Sequence, residues 1–350
     1  MAEKVLSDRD GVAVVEGSYG RAYALLSLLF IVGCLIAYKA TASLAVIAKV
    51  QATGVLKPRF DITQADSTIW AGAFGTTLSY FLVIWPALLF GIMISGAVRA
   101  FVSPRWLTRL FGEGRVRPQL VAGLAGAPLM LCSCCVAPVF TSVYERSSRL
   151  APSLALMLAA PALNPAALLL TFMLFGGKVG AIRLLMSGAG VLAVGLLAER
   201  FIKVRPPACA VEEALQMRRG SAINTFLSSC LKMALQTLPL IFAGVVTSMF
   251  VARWLPAGGA GSRVADVLTL MIVALIAVPV AMPTFFEIPL AAILLAAGMP
   301  AGVAIAVLIA GPATNLPSLF TVARSTGWKV SALVAAAVWA LAVLGGLLAG

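Results

Sequence analysis

A set of helix-breaking residues recurs at one fixed spacing along this 350-residue chain. Pro128, Pro138, Pro161, Ala162 and Asn164 are met 151 residues later by Pro279, Pro289, Pro312, Ala313 and Asn315. Gly176, Lys178 and Val179 meet Gly327, Lys329 and Val330 at the same offset, with no gap. At an offset of 153, Pro86 meets Pro239 and Gly91 meets Gly244. Prolines that coincide over more than fifty residues argue for two structural copies rather than chance. Each proline removes a backbone donor, so both copies carry helices broken at matching places.

The medium around those helices follows from composition. Hydrophobic residues make up 61% of the chain and charged residues 11%, against about 25% charged in ordinary globular domains. Several apolar runs reach the ~20 residues needed to cross a bilayer. The chain is therefore read as an all-α polytopic membrane protein with about 8–10 apolar segments, and the lipid bilayer is its first partner. The net charge of +13 sits in short loops beside apolar runs. That is the positive-inside pattern and not a nucleic-acid footprint. No histidine is present, which excludes histidine-ligated metal sites and Ser-His-Asp catalysis. No GxxxxGK[ST] phosphate loop occurs, so no cofactor is expected.

In chain order, residues 1–20 read as a polar cytoplasmic N-terminus lacking a signal-peptide pattern. Residues 21–67 read as a first transmembrane helix, apolar from Tyr23 to Ala37, and a polar connection from Lys39 to Ser67. The first copy spans 68–198, a basic cytoplasmic loop 199–222, and the second copy 223–350. Two basic loops, one around Arg99 to Arg117 and one around Arg200 to Arg219, should share the cytoplasmic side. Three apolar segments lie between them, so one must enter and leave on the same side. The cysteine stretch, interrupted by Gly123, Gly126, Pro128 and Pro138, is the expected re-entrant hairpin. Three crossings and one hairpin per copy would invert the second copy relative to the first. Broken helices would then meet near the membrane midplane, a plan common among transporters.

The chemistry-bearing residues fall at those breaks. Cys132, Cys134 and Cys135 form a Cys-Ser-Cys-Cys run with Ser133. Thiolates are soft ligands for Cu(I), Zn and other soft metals, and by extension for trivalent arsenic. The bland alternative is packing, since free cysteine is among the most buried residues. The spacing matches no zinc-finger or ferredoxin pattern, so only transient soft-ion contact is expected. Asn164 and Asn315 either bond substrate or satisfy backbone freed at the breaks. Glu287, an acid in an apolar segment, is by default functional and is read as a proton-coupling residue; the alternative is an ion pair with Arg183 or Lys232. Thr284, Thr314 and Ser318 are polar lining candidates. Pro128, Pro138, Pro161 and Pro165 are the expected helix breaks of the first copy, and Pro283, Pro289, Pro312 and Pro317 those of the second. Cys34, Cys209 and Cys230 are scattered and read as structural.

At these residues a resemblance enters. The runs LCSCCVAPVF, AAPALNP, IPLAAILLAAGMPAG and AGPATNLP resemble the predicted permease family that includes the trivalent organoarsenical efflux permeases. The resemblance covers about residues 70–335. Members usually show a Cys-Ser-Cys-Gly run, matched here by Cys132, Ser133 and Cys134, with Cys135 in place of glycine. The second copy has Pro283-Thr284-Phe285-Phe286-Glu287 and no cysteine. The resemblance implies a multi-pass permease of the bacterial inner membrane exporting a small thiol-reactive compound. Alternatives are a permease for a sulfur, selenium or metal species, or a membrane thiol-disulfide oxidoreductase using Cys132 with Cys134 or Cys135.

Overall fold

The computed structural model describes residues 18–54, 69–102, 107, 111, 114, 116–202, 222–252, 263–282, 285–296 and 298–349. Residues 1–17, most of the second basic loop with Cys209, and Pro283 and Thr284 lie outside the described residues. Among the described residues there is no strand, only helices and one 3-10 turn. The helices are α1 (Ser18–Thr53), α2 (Ile69–Phe101), α3 (Arg117–Gly126), α4 (Ser133–Ser147), α5 (Leu150–Ala162) and α6 (Pro165–Phe201). They continue with α7 (Ala222–Ala252), α8 (Arg263–Ala277), α9 (Glu287–Ala296), α10 (Ala301–Ala313), α11 (Leu316–Thr326) and α12 (Trp328–Ala349). The protein is an all-α polytopic membrane protein. Leu26–Thr53, Pro165–Phe201, Phe226–Thr247 and Trp328–Ala349 are long and apolar enough to cross a bilayer, and α10 with α11, bent by 47°, adds a fifth candidate.

Two expectations need correction. The first helix does not end near Ala37 but runs to Thr53. Its sequence beyond Lys39 is apolar apart from Lys49, Gln51 and a few hydroxyls, and long lysine stems cover apolar surface while the charge reaches water. Pro138 does not break its helix: it lies inside α4, which continues to Ser147. A single proline removes one helical hydrogen bond, and the bonds on either side hold the rest. Pro289 falls in the first turn of α9, where the missing N–H costs nothing. Pro161 and Pro312 each immediately precede the last residue of their helices, and Pro165 and Pro317 open the next ones.

The cysteine stretch leaves on the side by which it enters. Arg149 Nη2 donates to Gly114 O at 3.0 Å, joining the segment before α3 to the turn after α4. The end of α2 meets the same place, where Arg99 pairs with Glu145 and Arg146 donates to Arg99 O. The end of α6 joins them: Glu199 Oε1 accepts from Ala151 N at 2.8 Å and so caps α5. The described ends of both basic loops thus lie at one face, here the basic face.

Helix α6 is two helices. Gly176, at φ 82° and ψ 175°, is non-helical inside it, a conformation glycine adopts without a Cβ penalty. The chain folds back there, so Gly180 packs on the Phe172 ring and Arg183 Nη1 donates to Thr171 Oγ1 at 2.6 Å. Gly327, at φ 100°, turns α11 into α12 in the same way, and Ser331 Oγ donates to Leu319 O at 2.8 Å.

Several features recur 151 residues apart. Helix α10 has both ends displaced from those of α5 by that number, as α11 starts relative to α6. A Cβ at Gly195 would lie 2.6 Å from Ala151 O, and one at Gly302 would lie 2.6 Å from Gly346 O. Both are backbone crossings that only small residues permit. Corresponding helices run antiparallel: α2 meets α7 at Gly96 with Cys230 and at Phe81 with Phe242 (ring centroids 5.8 Å apart). The rear half of α6 meets α12 at Gly190 with Leu341 and at Lys178 with Ala349.

Candidate functional site

The three thiols sit at the start of α4. Cys132 is its N-cap, in extended conformation, and Cys134 and Cys135 occupy the first turn. Cys132 O accepts from the N–H groups of Cys135 and Val136 at 3.0 and 3.1 Å, which curls the turn so that the sulfurs converge. Cys132 Sγ lies 3.1 Å from Cys134 Sγ and 2.9 Å from Cys135 Sγ, and the other pair is 3.9 Å apart. Sulfurs bonded at about 2.3 Å to one tetrahedral centre lie roughly 3.8 Å apart. Only the Cys134–Cys135 pair is near that spacing, the two separations from Cys132 being shorter, and the three form the group of soft ligands found among the described residues. All three residues are buried. The positive end of the α4 dipole points at them. Gly91 of α2 packs directly on Cys135 O and holds the turn from behind. Ser133 is buried between them.

A pocket opens beside Cys132. Its lining is Leu131, Cys132, Pro161, Asn164, Met282, Glu287 and Pro312, drawn from two distant stretches of the chain. Cys132, Asn164 and Glu287, far apart in sequence, line this one cavity. Asn164 does structural work there as well: its Oδ1 accepts from Ala166 N and Ala167 N at 3.1 and 3.4 Å, capping α6. Asn315 caps α11 through a reciprocal box with Ser318. The Asn315 Nδ2 group is buried with no hydrogen-bond partner among the described residues. Thr314 Oγ1 donates to Val278 O at 3.4 Å, tying the second break to the end of α8. Ser318 is absorbed in the cap. Thr284 lies outside the described residues.

Glu287 opens α9 and is 2% exposed. Arg183 Nη2 meets its Oε1 at 2.9 Å, with Arg183 wholly buried. Of the two partners weighed from sequence, Arg183 is the one; Lys232 is exposed on α7. The pair joins the rear half of α6 to α9. Arg183 Nε has no partner among the described residues. Sequence reasoning ranked neither Arg183 nor Thr171 as a site residue. The signal was present in Arg183 itself, an arginine inside the apolar run Val179–Ala198.

A second cavity lies further along the contact between the copies, lined by Leu158 and Ile309, Ala162 and Ala313, Ser187 and Val338, and Gly190 and Leu341 among others. Each of these pairs is 151 residues apart. Cys34 is half-buried on α1, and Cys230 lies against α2, its Sγ 3.8 Å from Ile92 O.

Residues 69–350 match the model of a family described as a predicted permease. The UPF0718 protein YraQ of Escherichia coli is 28% identical over 279 residues, covering 78% of this chain and 81% of that one. The UPF0718 protein YcgR of Bacillus subtilis is 30% identical over 112 residues, 32% of this chain and 37% of its own. The UPF0718 protein MJ0584 of Methanocaldococcus jannaschii is 26% identical over 119 residues, 33% of each. No solved structure matches the chain.

Proposed function

The chain belongs to the predicted permease family, and from that premise we propose that it is an inner-membrane secondary permease exporting a small thiol-reactive compound. The cargo class is a trivalent organoarsenical or a related metalloid or soft metal species. One observation carries the reading: three thiols converge, and one of them, Cys132, lines a pocket with Asn164 and Glu287 where helices break. Methylarsenite would exchange its two hydroxyls for two of the three sulfurs, releasing two waters, and water or another thiol would reverse the exchange at exit. The third sulfur gives the cargo a neighbour to pass to. Such contacts are transient by construction, as a carrier needs.

The recurrence at 151 residues and the antiparallel packing of corresponding helices support an inverted repeat, 68–198 against 223–350, with one extra helix before it. In that plan the site lies at the repeat interface and opens alternately to either side. Glu287 is then placed to exchange its Arg183 partner for a proton once per cycle, which would drive export by proton antiport.

Uptake into everted membrane vesicles tests the reading. Methylarsenite is expected to accumulate under an imposed proton gradient, and Cys132→Ser or Cys134→Ser to abolish accumulation. Glu287→Gln is expected to leave exchange but remove uphill uptake. Full transport by all three variants would return the cysteines to packing. The Cys132–Cys135 separation of 2.9 Å keeps the thiol-disulfide reading as the second one, and a mixed disulfide trapped with a partner protein would favour it.

A further inference from the structure

The pocket beside Cys132 has a second sulfur in its lining, that of Met282. Met282 stands between α8 and α9 and is 3% exposed. Its Sδ lies over Gly311: a Cβ built there would be 2.8 Å from the sulfur and 3.7 Å from Glu287 Cβ. The thioether is thus held beside Glu287 and next to Pro312, both of which line the same pocket. Of the three thiols, Cys132 is the one in that lining. Cys134 and Cys135 are wholly buried and touch Cys132 Sγ at 3.1 and 2.9 Å. The other polar groups are engaged, since Asn164 Oδ1 caps α6 and Glu287 Oε1 meets Arg183. The room is small. About 10 Å³ is open to the centre of a water-sized guest, roughly what a single water or ion occupies.

We propose that Met282 is a cargo ligand, and that the pocket takes a monovalent soft metal ion, Cu(I) or Ag(I), between Cys132 Sγ and Met282 Sδ. The proposal rests on the thiol-cargo reading and narrows it. Thiolate with thioether is the donor set that selects Cu(I). Hard cations such as Mg2+ and Ca2+ take oxygen ligands. A tetrahedral Zn2+ wants four donors, more sulfur than faces this pocket. A thioether has no proton to exchange for a hydroxyl of methylarsenite, so Met282 adds a bond to the metal ion and none to the arsenical. The stretch Pro283–Glu287 has no cysteine, and Met282, just before it, supplies the soft donor on that side. Binding is a plain exchange: the Cys132 S–H bond breaks, its proton leaves to water, and a sulfur–metal bond forms. No electron moves. One positive charge replaces another, so the pocket keeps its charge, which matters where charge within a bilayer is costly.

The test is binding to the purified full-length chain. Cu(I), kept reduced by ascorbate, is competed against a coloured Cu(I) chelator, and methylarsenite is measured as arsenic retained after desalting. A Cys132→Ser/Cys134→Ser/Cys135→Ser chain supplies the background from the other cysteines. Met282→Leu keeps the side chain's volume. It is expected to weaken Cu(I) binding by about tenfold or more, since even outer-shell changes cost a metal site that much, and to leave methylarsenite within about twofold. In protein grown with selenomethionine, X-ray absorption at the copper edge is expected to show a selenium neighbour that Met282→Leu loses. Unchanged Cu(I) affinity in Met282→Leu, equal weakening of both probes, or no selenium beside copper in wild type overturns Met282 as a ligand. Methylarsenite bound without Cu(I) overturns the proposal and leaves the thiol-cargo reading standing. Binding of neither probe by wild type overturns that reading, and the proposal with it.

Discussion

The Arg183–Glu287 pair is where a single side chain decides most. Both partners are out of water, and each is tolerated only because the other neutralises it. Removing one leaves an uncompensated buried charge, a loss of about 3–5 kcal/mol, whereas replacing both with apolar groups is often neutral. Arg183→Leu is therefore expected to lower the thermal stability of the detergent-solubilised protein sharply, and Arg183→Leu/Glu287→Leu to restore most of it. Additive losses in the double variant would mean that the two charges act separately. Asn164 allows a finer separation. Its carbonyl caps α6, and truncating such a cap costs about 1 kcal/mol. Asn164→Ser keeps a capping oxygen but loses the amide. If the amide meets cargo, transport falls in Asn164→Ser with stability held. If the residue only caps, Asn164→Ser transports normally and Asn164→Ala loses stability alone.

The hairpin of α3, the 3-10 turn and α4 determines where the thiols stand in the bilayer. Its two ends are held together by Arg149 on Gly114 O and by the Arg99–Glu145 contact, so α3 descends from the basic face and α4 returns to it. Cysteines introduced at Gly114 and Ser148 are expected to react with a membrane-impermeant thiol reagent from one side. A cysteine at Gly176, where α6 turns, should react from the other. Labelling of Gly114 and Ser148 from opposite sides would make the cysteine stretch a full crossing. Much of this was legible beforehand because proline, glycine and asparagine act locally. Pro161-Ala162 and Pro312-Ala313 close their helices, and Asn164 and Asn315 open the next, wherever the rest of the chain lies. What was not legible depends on distant packing. Arg183 meets Glu287 across 104 residues, and neither neighbourhood announces the other. The far half of α1 was read as connection because the charges Lys57, Arg59, Asp61 and Asp66 follow it, although the helix runs on to Thr53 before them.

At the scale of the whole molecule, α4 and α9 are packed in different ways. Helix α4 packs on α2 and α11, but α9 is held differently. Its Ile288 and Ala291 join Val50 of α1, Leu170 of α6 and Leu308 of α10 in a separate apolar cluster. Helix α1 thus shares an apolar cluster with α9. An exchange of access would move the two hairpins against a contact between copies that stays packed, the surface of α6 on α12 around Gly190 and Leu341. A Cβ at Gly190 would lie 3.2 Å from Leu341 Cδ1, close enough for a short cross-link between cysteines introduced at both positions. If the copies rock about this surface while it holds, Gly190→Cys/Leu341→Cys joined by a short thiol cross-linker is expected to keep at least half of its transport. A cross-link between the first hairpin and α11, through Thr141→Cys on α4 and Ser325→Cys on α11, should stop transport until it is reduced. That pair stands where Thr141 and Ser325 meet at 3.5 Å, and closing it holds one gate shut. Loss of transport on cross-linking at Gly190 and Leu341, with none at the gate, would move the hinge to the hairpins' own roots and make the α6–α12 surface the part that slides.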